Sequence, residues 1–113
     1  MIKEFFKKHG ITFVVQTRHR DIFSCLLKRN DKEISITYLN VSAPIEEQIL
    51  SGINFEDIKP LRHYRKDFGY MYLTDRQLQV TLDRAQKEVE QFRYLFGDIK
   101  SEIEEFKNNY FKN

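Results

Sequence analysis

Between Lys59 and Tyr72 the chain interleaves Lys59, Arg62, His63, Arg65 and Lys66 with the rings of Tyr64, Phe68, Tyr70 and Tyr72. Cations neutralise phosphates and planar rings stack on splayed bases, so this mixture is suited to nucleic acid. Arg18, His19 and Arg20 form a second basic cluster, in an expected turn, that could extend the same surface. The residues also fit a plainer arrangement, with Tyr64, Phe68 and Tyr70 in a core and the charges facing water.

Other chemistry is thin. Asp67-Phe68-Gly69 spells the metal-binding tripeptide of protein kinases, but 113 residues cannot hold a kinase, and neither a glycine-rich loop nor a catalytic loop accompanies it. His9, His19 and His63 lack metal-ligand spacing. Cys25 falls mid-strand on an apolar face and reads as a small buried hydrophobe rather than a nucleophile. Glu46-Glu47 and Glu104-Glu105 read as solvated helix faces. Phosphate-binding glycine loops and nuclease-type carboxylate–lysine spacing are missing. The expectation is a protein that is not an enzyme and needs no cofactor or metal.

Composition sets the frame for these residues. Aromatics make up 14% of the chain, with ten Phe and six Tyr but no Trp, so a packed core is expected rather than a disordered chain. Lys and Ile are abundant while Ala, Pro and Gly are few, the bias of AT-rich genomes such as low-GC bacteria and their phages. The net charge of +2 is too balanced to announce nucleic acid by itself. The positive excess sits in residues 1–73, with 12 basic and 9 acidic side chains, against 7 and 8 in residues 74–113. One cysteine allows no internal disulfide, which fits a reducing cytosol. No run approaches the roughly 20 apolar residues of a membrane span, and the start of the chain lacks the apolar stretch of a signal peptide. A cytoplasmic location in a bacterial host, away from the membrane, is expected.

The elements that would position the residues follow from periodicity. Ile2, Phe5, Phe6 and His9 share one face of a short helix that stops at Gly10. Three strands follow: Ile11–Thr17, Ile22–Lys28 and Glu33–Leu39. A two-residue turn at Asn30-Asp31 pairs Lys28 with Glu33, Leu27 with Ile34, Cys25 with Ile36 and Phe23 with Tyr38. A one-residue slip would lose both the apolar face and the charge pair. An odd-length turn at Arg18-His19-Arg20 would bring Ile11, Phe13 and Val15 to the same face. Ser42 is expected to cap a helix that Gly52 ends, and Asn54–Lys59 to add a further helical turn before Pro60. Tyr70–Leu73 is a candidate fourth strand.

From Thr74 onward the pattern changes. Thr74 and Gln77 match a capping box. Leu78, Leu82, Ala85, Val89, Phe92, Phe96, Ile99, Ile103, Phe106 and Tyr110 then recur in alternating steps of four and three, a heptad seam. Uninterrupted, that helix would span about 55 Å, longer than a body of some 75 residues, about 30 Å across. In a parallel homodimer Glu88 would meet Arg93 and Glu102 would meet Lys107, both attractive. Self-association through Leu78, Leu82, Val89, Phe92, Phe96, Ile99, Ile103 and Phe106 is therefore expected. Gly97-Asp98 offers the other solution, a stop and restart that folds the segment into a hairpin.

The whole reads as an α+β fold: a body at residues 1–73 with a short N-terminal helix and a three- or four-stranded antiparallel sheet, then a long C-terminal helix or hairpin at 74–113. In the order helix, three strands, helix it resembles double-stranded RNA-binding domains. Those domains open their last helix with a lysine-rich run. Here the position reads Thr74-Asp75-Arg76-Gln77-Leu78, so their function is not carried over. The expected function is a protein-binding module, an inhibitor or adaptor of a phage or mobile element, a group that includes anti-CRISPR proteins. Its working surface would be the exposed sheet edge, the basic–aromatic segment or the protruding helix. Nucleic-acid binding through residues 59–72 is the alternative.

Overall fold

The computed structural model describes residues 1–19, 22–39, 43–68 and 74–112. Helix α1 (Ile2–Lys8) buries Ile2 and Phe6. It ends because Gly10 takes φ +67°, where a side chain is disfavoured. The Gly10 amide donates to the Lys7 carbonyl and the Ile11 amide to that of Phe6, closing the two orphan carbonyls in a Schellman arrangement.

Strands β1 (Thr12–His19), β2 (Ile22–Arg29) and β3 (Lys32–Leu39) form an antiparallel sheet in the order β1-β2-β3. All four cross-strand pairs expected between β2 and β3 are present, and Lys28 lies 3.5 Å from Glu33. Asn30 carries the tight turn at φ +58°, a left-handed value that Asn tolerates. The turn after β1 differs from expectation. Arg18 and His19 are paired strand positions, opposite Phe23 and Ile22, while Arg20 lies outside the described residues. A β-bulge between Val15 and Thr17, not an odd-length turn, shifts the register. Tyr70–Leu73 also lies outside the described residues.

Helix α2 (Ile45–Gly52) starts after Pro44, which occupies the cap position without a side-chain bond; Ser42, the expected cap, is outside the described residues. Residues 54–59 are not helical, contrary to expectation. Pro60 disfavours helical backbone at Lys59, and the Asn54 side chain accepts from the Glu56 amide, a turn that competes with helix. Helix α3 (Leu61–Phe68) follows, in a stretch with no clear sequence signal.

Helix α4 (Asp75–Phe96) opens with the full capping box: the Gln77 amide donates to Thr74 Oγ1 and the Thr74 amide to Gln77 Oε1. A 3-10 turn (Gly97–Ile99) joins it to α5 (Lys100–Tyr110). Phe96 and Ile99, both at φ −121°, leave helical geometry on either side of that turn and bend the segment there. The bend is why 36 helical residues, about 54 Å if straight, fit a molecule whose longest extent is 43 Å. Phe92, Leu95, Phe96, Ile99 and Ile103 join one core with Cys25, Leu27, Ile34 and Ile36 of the sheet. Ile2 and Phe6 of α1, Ile49 and Leu50 of α2, and Ile53 and Phe55 complete it.

Candidate functional site

The basic–aromatic segment is only partly a surface. Lys59 and Arg62 are exposed, and His63 and Tyr64 are half-buried with their rings edge-to-face at 5.4 Å. Arg65 and Lys66 stand in α3, so positions 62, 65 and 66 lie at i, i+3 and i+4, on one helical face. Tyr70 and Tyr72 lie outside the described residues. Arg18 and His19 end β1, and nothing described joins them to α3.

The heptad seam is occupied within the chain. Leu78, Leu82, Val89, Phe92, Phe96, Ile99 and Ile103 are buried and Phe106 is half-buried. Phe106 stacks on Phe5 of α1 at 4.1 Å. Leu95, which is not one of the seam residues, is fully buried as well. A seam of this width packs a helix on a sheet; a two-stranded coil buries a narrower one. The charged flank is also engaged internally. Gln86 Oε1 accepts from the Ile58 amide at 2.8 Å while its Nε2 donates to Asp57 at 3.0 Å. Arg93 donates to the Phe55 carbonyl at 2.7 and 2.9 Å, and Lys107 to that of Ile53 at 2.8 Å. Lys100 stands over the Phe55 ring. Arg93 and Lys107, expected to meet a second copy, together with Gln86 instead satisfy the backbone of residues 53–58, which has no ladder of its own. A second copy could use this seam only by displacing those contacts.

The two edges of the sheet are treated differently. Along β3, α4 packs beside the strand: the Thr37 amide points outward to Glu88 at 3.4 Å, and Lys32 reaches the Tyr94 carbonyl at 3.2 Å. Along β1, none of the described residues pairs with the outer side. Because Thr37 faces away from β2, alternation makes Ser24 and Leu26 bond toward β1, to Thr17 and Val14. The N–H and C=O groups of Phe13 and Val15 therefore face the open side. Val14 and Val15 are 55% and 43% exposed, and Thr12 to Thr17 contains no charge. Val15 is thus on the core side of the sheet, as expected, but past the reach of the core.

A shallow groove borders this edge, floored by Phe6, Ile11 and Phe13 and walled by Lys3 and Lys7 of α1 and Glu46 of α2. It can take an apolar side chain, and the strand beside it can take main-chain hydrogen bonds. Cys25 is buried under the sheet, where burial pushes its thiol pKa up, away from nucleophilic use. Among the described residues no His, Cys, Asp and Glu cluster is placed to hold a metal, and no helix is long and apolar enough to cross a membrane.

Sequence reasoning named a sheet edge without saying which. The uncharged run Thr12–Thr17 is the signal that marks β1, since edges in monomeric proteins are commonly guarded by charge. Comparison of the chain with protein-family models, with curated proteins and with solved structures finds no match.

Proposed function

We propose that the chain is a non-enzymatic protein-binding module, an inhibitor or adaptor, that takes an extended segment of its partner as a strand beside β1. The observation that carries this is the contrast between the edges: β3 is lined by α4 while β1 offers two N–H and two C=O groups, at Phe13 and Val15, to the outside. Strand addition of this kind draws affinity from main-chain bonds and specificity from side-chain pockets. The bulge at Val15/Thr17 confines the regular edge to its first half, which guards against long self-pairing.

Proline tests the reading without a known partner surface. Val15→Pro removes an outward N–H, which an edge strand tolerates, whereas Val14→Pro removes an inward one and breaks the ladder. Val15→Pro is expected to keep the fold and lose peptides selected on the wild-type chain. Selected peptides that bind Val15→Pro undiminished would refute strand addition at this edge.

A second reading is nucleic-acid binding by α3, supported by the helical spacing of Arg62, Arg65 and Lys66 next to Lys59. Contact with several phosphates predicts at least a tenfold loss of affinity between about 50 and about 200 mM salt. Charge reversal of Arg62, Arg65 and Lys66 would abolish that binding and leave strand addition at β1 intact. No binding of single- or double-stranded DNA or RNA at low salt would end this reading.

A further inference from the structure

The groove beside β1 carries its own selectivity. Lys3 and Lys7 are one helical turn apart on α1 and exposed, and neither forms an ion pair with a described residue. Between them and the strand lies the apolar floor of Phe6, Ile11 and Phe13, in a cavity of about 380 Å³. Glu46 is a single carboxylate in the lining against the two ammonium groups, so the rim is net positive. A basic rim thus borders an uncharged strand edge.

We infer that the segment bound here is uncharged and β-branched along β1, carries a carboxylate where it meets Lys3 and Lys7, and seats one large apolar side chain over Phe6, Ile11 and Phe13. This rests on the strand-addition reading and adds the chemistry of the partner. On the core side of the sheet, a residue of the added strand next to Phe13 points toward the groove, because side chains of paired strands share a face. A residue two positions away shares that face and comes within reach of the lysine rim. A basic segment would bring like charges against Lys3 and Lys7. Rim charges of this kind act on association rate and partner choice more than on the lifetime of the complex.

A phage-displayed library of random decapeptides, panned on the full chain, tests this. Enriched peptides are expected to alternate β-branched residues, to carry one aromatic or large aliphatic residue with Asp or Glu near it, and to slow amide exchange at Phe13 and Val15. Lys3→Glu combined with Lys7→Glu, at two exposed positions, should leave the chain folded with a small drop in melting temperature, since Lys7 leaves the last turn of α1, where a cation is favoured. It should weaken the best peptide by about tenfold, mostly through a slower association rate. N-methylation of alternate peptide amides should abolish binding while every side chain stays in place, a control that needs no change to the protein. Peptides that protect Phe13 and Val15 yet show no acidic bias, and are indifferent to the lysine reversals, would overturn the acidic-segment inference and leave strand addition standing. A panel in which no peptide protects those amides would overturn strand addition itself.

Discussion

The Arg29 guanidinium grips both carboxylate oxygens of Asp98, at 2.6 and 2.9 Å, across 69 residues of sequence. Its Nε donates to the His9 carbonyl and its Nη1 to that of Leu95, both at 3.1 Å. One planar cation thereby ties the end of α1, the end of β2, the last turn of α4 and the bend that follows. It is the buried charged side chain among the described residues, 8% exposed. Leu95 lies where the helical ladder fails, and an arginine is well suited to such an orphan carbonyl. Arg29→Met is expected to lower unfolding free energy by about 2–3 kcal/mol, the cost of losing charge-assisted bonds at buried carbonyls. Arg29→Lys should recover only part of it, since an ammonium cannot span the carboxylate and two carbonyls at once. Urea denaturation of the two variants checks both statements.

The same corner makes stability depend on pH. Hydrogen bonding from Arg29 holds the Asp98 carboxyl below its usual range. Unfolded, it returns to about 3.9. Between the two values the unfolded chain binds more protons, so this contribution is complete above about pH 4 and is lost as pH falls through the folded value. His9 is shifted down as well, first by burial and then by Lys8 and Arg29. Its unfolded value is about 6.5, so the contribution of a neutral His9 fades earlier, as pH drops below that point. Denaturation midpoints at constant ionic strength should therefore fall in two stages on acidification. His9→Gln should flatten the first stage and Asp98→Asn part of the second, which the lowered Asp57 carboxyl shares; variants that leave the profile unchanged would refute the assignment.

The glycines at the two helix ends are predicted to respond oppositely. Gly97, the left-handed stop of the hairpin alternative, takes φ −55° and ψ −34°, and a Cβ there would meet nothing within 4 Å. Gly97→Ala should stabilise by about 0.5–1 kcal/mol through the unfolded chain. Gly10→Ala should destabilise by about 1 kcal/mol or more, because φ +67° opposes a side chain whatever the space. Thermal melts of the two alanine variants should move in opposite directions.

What the sequence disclosed tracks the range of the interaction behind it. Local patterns were legible: the Thr74–Gln77 box, the Gly10 stop, and the β2–β3 register, where alternation and the Lys28–Glu33 pair agree on one alignment. The heptad seam also announced a buried helical face. Periodicity defines such a face without naming its cover, because Leu78, Phe92 and Ile103 suit a sheet as well as a second helix. Asp98 read as the restart of a helix and Arg29 carried no reading, since nothing in either neighbourhood points to the other. Residues 54–59 read as helix because the groups that satisfy this stretch, Gln86 and Arg93, are distant in sequence.

That loop gives the next prediction. The Ile58 amide has Gln86 as its partner and the Phe55 carbonyl has Arg93. Gln86→Leu keeps bulk and removes the acceptor, so the Ile58 amide should exchange about tenfold faster, with a stability loss of about 1 kcal/mol. Arg93→Met should loosen residues 53–58 by a similar amount and also release Asp57, whose carboxyl is held low by Gln86 first and Arg93 second. Amide exchange read residue by residue would localise both effects to this loop.

Charge reversal at Glu102 separates a seam covered within the chain from a paired one. In a parallel coil Glu102 would face Lys107 of a second copy, and Glu102→Lys would set two cations against each other at each of two symmetric sites. In the single chain Glu102 is exposed, while Lys107 donates to the Ile53 carbonyl. Burial already presses the Lys107 pKa down, opposed by Glu104 rather than Glu102. Glu102→Lys is therefore expected to leave the mass seen by light scattering unchanged at high micromolar concentration, whatever that mass is. Lys107→Glu, by contrast, should destabilise the chain by placing a carboxylate against a backbone carbonyl. A drop in mass on Glu102→Lys would show that Leu78–Tyr110 pairs with a second copy in solution, and that the internal contacts of Gln86, Arg93 and Lys107 give way when it does.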